Sequence, residues 1–192
     1  MSNLTVSTIS GSVASGNKVS IPSGQVLYAP GHVIQMVNTT IYTPTAVSIP
    51  ANYQANTNIP DLTCSITPKA TTSKVYVMVR WFGEWSIQTT NWDSMFGLKR
   101  NGTPVGVNPS SQTGSLGISQ AALGYYSNDG NSTPEMLYFD FFDSPASTSA
   151  VTYQVYANAV AATTLYTNRT VGSGATSFEY GSSTVTLWEI AQ

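Results

Sequence analysis

Charge is what this sequence has least of. Asp, Glu, Lys and Arg together make up 8% of its 192 residues, against about 25% in an ordinary globular protein. Seven Lys and Arg residues, dispersed along the chain, do not supply the clustered basic face that nucleic-acid binding needs. Histidine occurs once, at His32, which excludes a His-rich zinc site and a Ser-His-Asp triad built elsewhere in the chain. Cysteine also occurs once, so Cys64 has no internal disulfide partner, and stability must come from size, packing or oligomerisation. No apolar run approaches the roughly 18 residues of a membrane span. Residues 1–9 have neither a basic start nor an apolar stretch, so no secretory leader is expected. Gly106, Gly114 and Gly117 lie in Ser- and Asn-rich stretches without the Gly-Lys-Ser/Thr of a phosphate loop. From these absences we expect no enzyme, no catalytic residue, no metal and no cofactor.

Aromatic residues and small polar residues fill the space that charge leaves. The chain has 11 Tyr, 6 Phe and 4 Trp, too many for a disordered chain, and its Thr content favours strands. Residues 1–31 stand apart. Leu4, Val6 and Ile9 are thinly spaced, and Gly11, Gly16 and Gly24 punctuate the stretch. It reads as an extended N-terminal arm or attachment segment, ordered only against a partner chain or neighbouring domain, with a frayed terminus as the plainer alternative. From His32 the strand signals thicken. Leu62, Cys64 and Ile66 alternate with polar residues, which makes Cys64 a buried, inert thiol. In Lys74–Trp81, residues Val75, Val77, Val79 and Trp81 share one face, while Lys74, Tyr76, Met78 and Arg80 share the other. Asn101-Gly102 between β-prone segments predicts a tight hairpin with positive φ at Gly102. Further strands are expected over 118–126, 136–142, 150–159, 164–167, 176–180 and 184–190. In the last of these, Val185, Leu187 and Glu189 oppose Thr186, Trp188 and Ile190. Eight to ten short strands without an amphipathic helix predict an all-β fold: an antiparallel β-sandwich or jelly roll over residues 32–192.

Two groups of residues invite a functional reading. Phe82, Trp85 and Trp92 fall where a loop should follow the strand ending at Trp81, and Tyr125 and Tyr126 close the expected strand at 118–126. Exposed aromatics of this kind anchor protein contacts and stack on glycans, and buried packing near a sheet end is the plainer alternative. Asp140 and Asp143 flank an aromatic run. Paired carboxylates suit glycoside hydrolysis or a calcium-type site, whereas structural use, with Asp140 paired to Arg80 or Arg169, is the simpler expectation.

Several segments, taken in order, carry a resemblance. They are Tyr28–Gln35, Ser73–Val77, Leu98–Thr103, Asp143-Ser144-Pro145, Val151–Val155 and Ser183–Ile190. Together they resemble a domain that recurs in tail-fibre and other virion surface proteins of bacteriophages, over roughly residues 28–190. The order of strands and the Arg-Asn-Gly hairpin are also similar, at the level of architecture, to the jelly-roll heads of the complement C1q and tumour-necrosis-factor type. The resemblance implies a virion structural protein (a tail fibre, a head fibre or a capsid decoration) that forms a homotrimer. Its further partners would be other virion proteins and a host-surface glycan or protein. It supplies no catalytic motif. The rival expectation is a carbohydrate-binding module or glycoside hydrolase on a lectin-like sandwich.

Overall fold

The computed structural model describes residue 27 and residues 29–52, 55–86, 95–107, 121–122, 132–172 and 179–192. The expected arm therefore lies almost wholly outside the described residues. At its end, Gly31 is already tied to the body: its N–H donates to the Ala191 carbonyl at 2.8 Å, and the Ala191 N–H donates to His32 O at 2.9 Å.

Eleven strands are described, without a helix among them: β1 (Val33–Ile41), β2 (Thr45–Ile49), β3 (Thr57–Ile66), β4 (Lys74–Trp85), β5 (Met95–Arg100), β6 (Thr103–Val105), β7 (Ala121–Ala122), β8 (Glu135–Asp143), β9 (Val151–Asn158), β10 (Thr163–Thr167) and β11 (Ser183–Ile190). They form two antiparallel sheets packed as a sandwich. One runs β1-β11-β4-β10-β2 with β8 also on β4, and the other runs β3-β9-β5-β6 with β7 on β5. The all-β sandwich expected from the strand pattern is thus the fold.

Alternation decides what each strand buries. Val75, Val77, Val79, Trp81 and Trp85 of β4, with Val185 and Leu187 of β11, point into the sandwich and are at most 2% exposed. Facing them are Leu62, Cys64 and Ile66 of β3, Phe96 and Leu98 of β5, and Val151, Tyr153, Val155 and Ala157 of β9. Trp81 and Phe96 meet across the layers with ring centroids 4.9 Å apart. Burying side chains of this size contributes about 1.5–3 kcal/mol each, which is how a chain without disulfides holds two layers together.

Some boundaries differ from the sequence reading. β4 does not end at Trp81. It continues through Phe82-Gly83-Glu84-Trp85, where β10 takes up the pairing, Thr167 opposite Gly83 and Leu165 opposite Trp85. Gly83 is required there, because a Cβ would lie 2.0 Å from the Tyr166 carbonyl oxygen and 2.5 Å from the Trp81 ring. Strand β2 has no counterpart in the sequence reading, and β3 begins earlier than its alternating half, interrupted by a register shift between Asn58 and Thr63. Asp61 lies within that shift, with φ at 60°. The expected strand at 118–126 is described only as Ala121–Ala122, and most of 176–180 lies outside the described residues.

The Asn101-Gly102 hairpin forms as expected. Arg100 pairs with Thr103 and Leu98 with Val105. Both turn residues have positive φ, 47° at Asn101 and 86° at Gly102, the tight turn whose twist matches the flanking strands. A Cβ at Gly102 would touch nothing within 4 Å, so only the backbone penalty is at stake there. Gly102→Ala should lower unfolding free energy by about 1 kcal/mol. Urea denaturation with an unchanged slope is the check, and an unaltered midpoint would contradict this turn geometry.

Candidate functional site

The outward face of the larger sheet is where large apolar side chains meet water. Strand register places them in rows. Met36 of β1 lies opposite Trp188 of β11, Trp188 opposite Tyr76 of β4, and Tyr76 opposite Phe142 of β8. The Tyr76 and Phe142 rings stack with centroids 4.3 Å apart. The next row is Asn38, Thr186, Met78 and Asp140, and the next Thr40, Thr184, Arg80 and Tyr138. Phe82 and Met136 follow. Tyr138 is 65% exposed, Phe142 57%, Met36 56%, Met136 47% and Met78 42%. Between these rows Met78, Arg80, Tyr138, Asp140, Thr184 and Thr186 line a recess of about 390 Å³.

Strand β8 bounds this face as an edge. Among the described residues it pairs with β4 and no other strand. The other row of backbone groups along its nine residues, beside Tyr138, Phe139, Phe141 and Phe142, meets no strand among the described residues. Long, apolar edges of this kind are templates for association unless they are covered.

Of the aromatic residues singled out in the sequence, the structure brings one to this face. Phe82 is half-buried, its ring against Gly181, where a Cβ would come within 2.4 Å of ring atoms. Trp85 is a correction. Because β4 continues, its side chain turns inward, is fully buried and meets the Phe96 ring edge-on at 5.9 Å, so no ligand can reach it there. Trp92, Tyr125 and Tyr126 lie outside the described residues. Met36, Tyr76, Met78, Tyr138, Phe142 and Trp188 are missing from the sequence candidates. The signal that could have found them is the outward phase of β4 and β8, combined with knowledge of which strands adjoin.

The two carboxylates near the aromatic run do not form a pair. Three residues apart on one strand, they point to opposite faces. Asp143 turns inward, where Arg100 Nη1 donates to its two oxygens at 2.8 and 2.9 Å and the Tyr153 hydroxyl donates at 2.6 Å. Burial, then the bond to Asp143, pushes the Tyr153 phenol far above its usual range. Asp140 turns outward and accepts from the Tyr76 hydroxyl, not from Arg80 or Arg169 as expected. That bond, with burial and the Asp140 charge, raises the Tyr76 phenol. The arrangement clamps the layers together and offers no two-carboxylate cleft. Among the described residues, no three His, Cys, Asp or Glu side chains are grouped to hold a metal ion.

At the far end of β4, Glu84 is fully buried and accepts from the backbone N–H of Val171 at 2.6 Å and of Thr133 at 3.2 Å. The neighbouring Glu135, opposite Gly83, has its carboxyl raised by burial first and by the Glu84 charge second.

No protein-family model matches the chain, and no curated protein matches it.

The raised Glu135 carboxyl has a consequence for stability. The folded chain holds this proton more tightly than the unfolded chain, so ionisation opposes folding. Stability attributable to this group falls as pH rises from the ordinary carboxylate range through the raised value, and the full cost is present above it. Glu135→Gln should therefore raise the unfolding midpoint at neutral pH, by less than about 1 kcal/mol because solvent screens a half-exposed group. The gain should vanish in acid. A variant less stable than the parent at neutral pH would contradict this sign.

Proposed function

We propose that this chain is a structural protein of a bacteriophage virion, a tail fibre, head fibre or capsid decoration. In this reading it assembles as a homotrimer through the outward face of its larger sheet, and it acts by binding and not by catalysis. The observation that carries the reading is the face itself. Taking roughly 200 Å² per large side chain, Met36, Met78, Met136, Tyr138 and Phe142 expose on the order of 500 Å². That is most of the roughly 800 Å² that each partner contributes to a standard protein interface. A patch of this size equals the largest that a typical monomer exposes, and such patches are often functional contact sites. The number three, the virion setting and the other partners (further virion proteins and a host-surface glycan or protein) rest on the resemblance of residues 28–190 to phage fibre domains.

A carbohydrate-binding module is the second reading, favoured by the recess on the same face. Tyr138 offers a ring for stacking, and Arg80, Asp140, Thr184 and Thr186 offer donors and acceptors of the kind that fix sugar hydroxyls. The two readings differ in what covers the face. Light scattering on the purified full chain should give a mass near 61 kDa, three times the 20.4 kDa chain. A clean 20.4 kDa species at micromolar concentration would overturn the self-standing trimer and leave a capsid-bound subunit or the sugar-binding reading in its place.

A further inference from the structure

The outward face carries two opposite charges near its middle, and they do not meet. Lys74 stands at one rim, and Glu84 at the other end is buried under the backbone it binds. Between them Arg80 lies opposite Tyr138 and Met78 lies opposite Asp140, so Arg80 and Asp140 are diagonal neighbours on adjacent strands. Such neighbours are about 7–8 Å apart, within the reach of an arginine. The guanidinium turns elsewhere, donating from Nη2 to Ser182 Oγ at 2.7 Å, while its Nε is buried without a partner. Asp140 is exposed and accepts from the Tyr76 hydroxyl. The ion pair between Arg100 and Asp143 lies on the inner side of the sheet and reaches neither of them.

If this face is covered, both charges leave water, and an unpaired buried charge is among the costliest defects an interface can hold. The occupant must bring an anion to Arg80 and a cation to Asp140. A uniformly acidic or basic partner satisfies one and strands the other. A second copy of this chain, placed head-to-tail, brings both. We infer that Arg80 of one copy pairs with Asp140 of its neighbour, and that this pair sets the register in which the apolar rows meet. The inference rests on the reading of the outward face as the contact between copies.

Charge reversal in the full chain tests it, with mass by light scattering and folding by circular dichroism. Arg80→Glu places two anions at each contact and Asp140→Arg two cations, so each variant alone should run as a folded monomer. Mixing the two should give assemblies that contain both chains but are weaker than the parent's, because two of the three contacts in a mixed ring then join an anion to a cation while the third still joins like chains. The double variant Arg80→Glu/Asp140→Arg should assemble alone. Should either reversal prevent folding, Arg80→Gln and Asp140→Asn serve instead, each expected to raise the half-dissociation concentration at least about tenfold. A reversed variant that assembles as tightly as the parent would overturn the pairing while leaving the trimer standing. Absence of any species containing both chains would also overturn it, since two of the three contacts in a mixed ring are complementary and a pair formed within one chain would give no such preference. A monomeric parent would remove both the trimer and the pair.

Discussion

Strand β4 is the constraint on which the rest depends. It is twelve residues long and has neighbours along both edges: β8 on one side, with β11 and then β10 in succession on the other. Its odd-numbered side chains must therefore fill the sandwich, and Val75, Val77, Val79, Trp81 and Trp85 do so. Its even-numbered side chains are committed to the opposite face by the same alternation, open to water except at Glu84, which is buried. Placing Tyr76, Met78, Arg80 and Phe82 there is not a free choice, because any register slip would exchange the two sets. The core and the outward face are thus two consequences of one pairing pattern.

Scarcity of charge makes the position of each charge informative. Of the seven acidic residues among those described, Glu84, Asp143 and Glu189 are buried, so three of them work inside. Each is met by donors. Glu189 accepts from Gln35 Nε2 at 2.6 Å and from the Lys69 N–H at 2.7 Å, tying β1, β11 and the segment after β3. Asp143 holds Arg100 and Tyr153 of the opposite sheet, and Glu84 holds the backbone near Thr133 and Val171. A buried carboxylate is costly unless hydrogen-bonded in this way, so each one fixes where loops and layers join. The outward face is left with few charges to keep it wet.

Much of the fold was legible because alternation was clean where a strand has one apolar face. The first half of β4, the second half of β3, β9 and β11 all read directly, including the inward phase of Glu189. The turn at Asn101-Gly102 read directly because its backbone admits few residue types. Legibility failed where a local feature masked the period. Gly83 and Glu84 look like the start of a loop, although Gly83 is there because β10 and the Trp81 ring leave no room for a side chain. The candidate face was harder still. Met136–Phe142 is apolar on both sides, so nothing local says that Leu137, Phe139 and Phe141 turn toward the body while Met136, Tyr138 and Phe142 turn away. That depends on β8 adjoining β4 from about sixty residues away, and on Met36 reaching the same row through β11. Single-strand patterns do not contain such long-range neighbours.

The central claim is that the outward face is covered in the working protein, and its methionines report on it directly. Met36, Met78 and Met136 lie on that face, and Met95, 3% exposed, is buried within the same chain as an internal reference. Peroxide oxidation of the native protein, followed residue by residue by mass spectrometry, compares them in one experiment. Slow oxidation of Met36, Met78 and Met136 at assembling concentration, close to that of Met95 and accelerating on dilution, is the result this account predicts. Rapid oxidation of all three at every concentration, with Met95 alone protected, would contradict it.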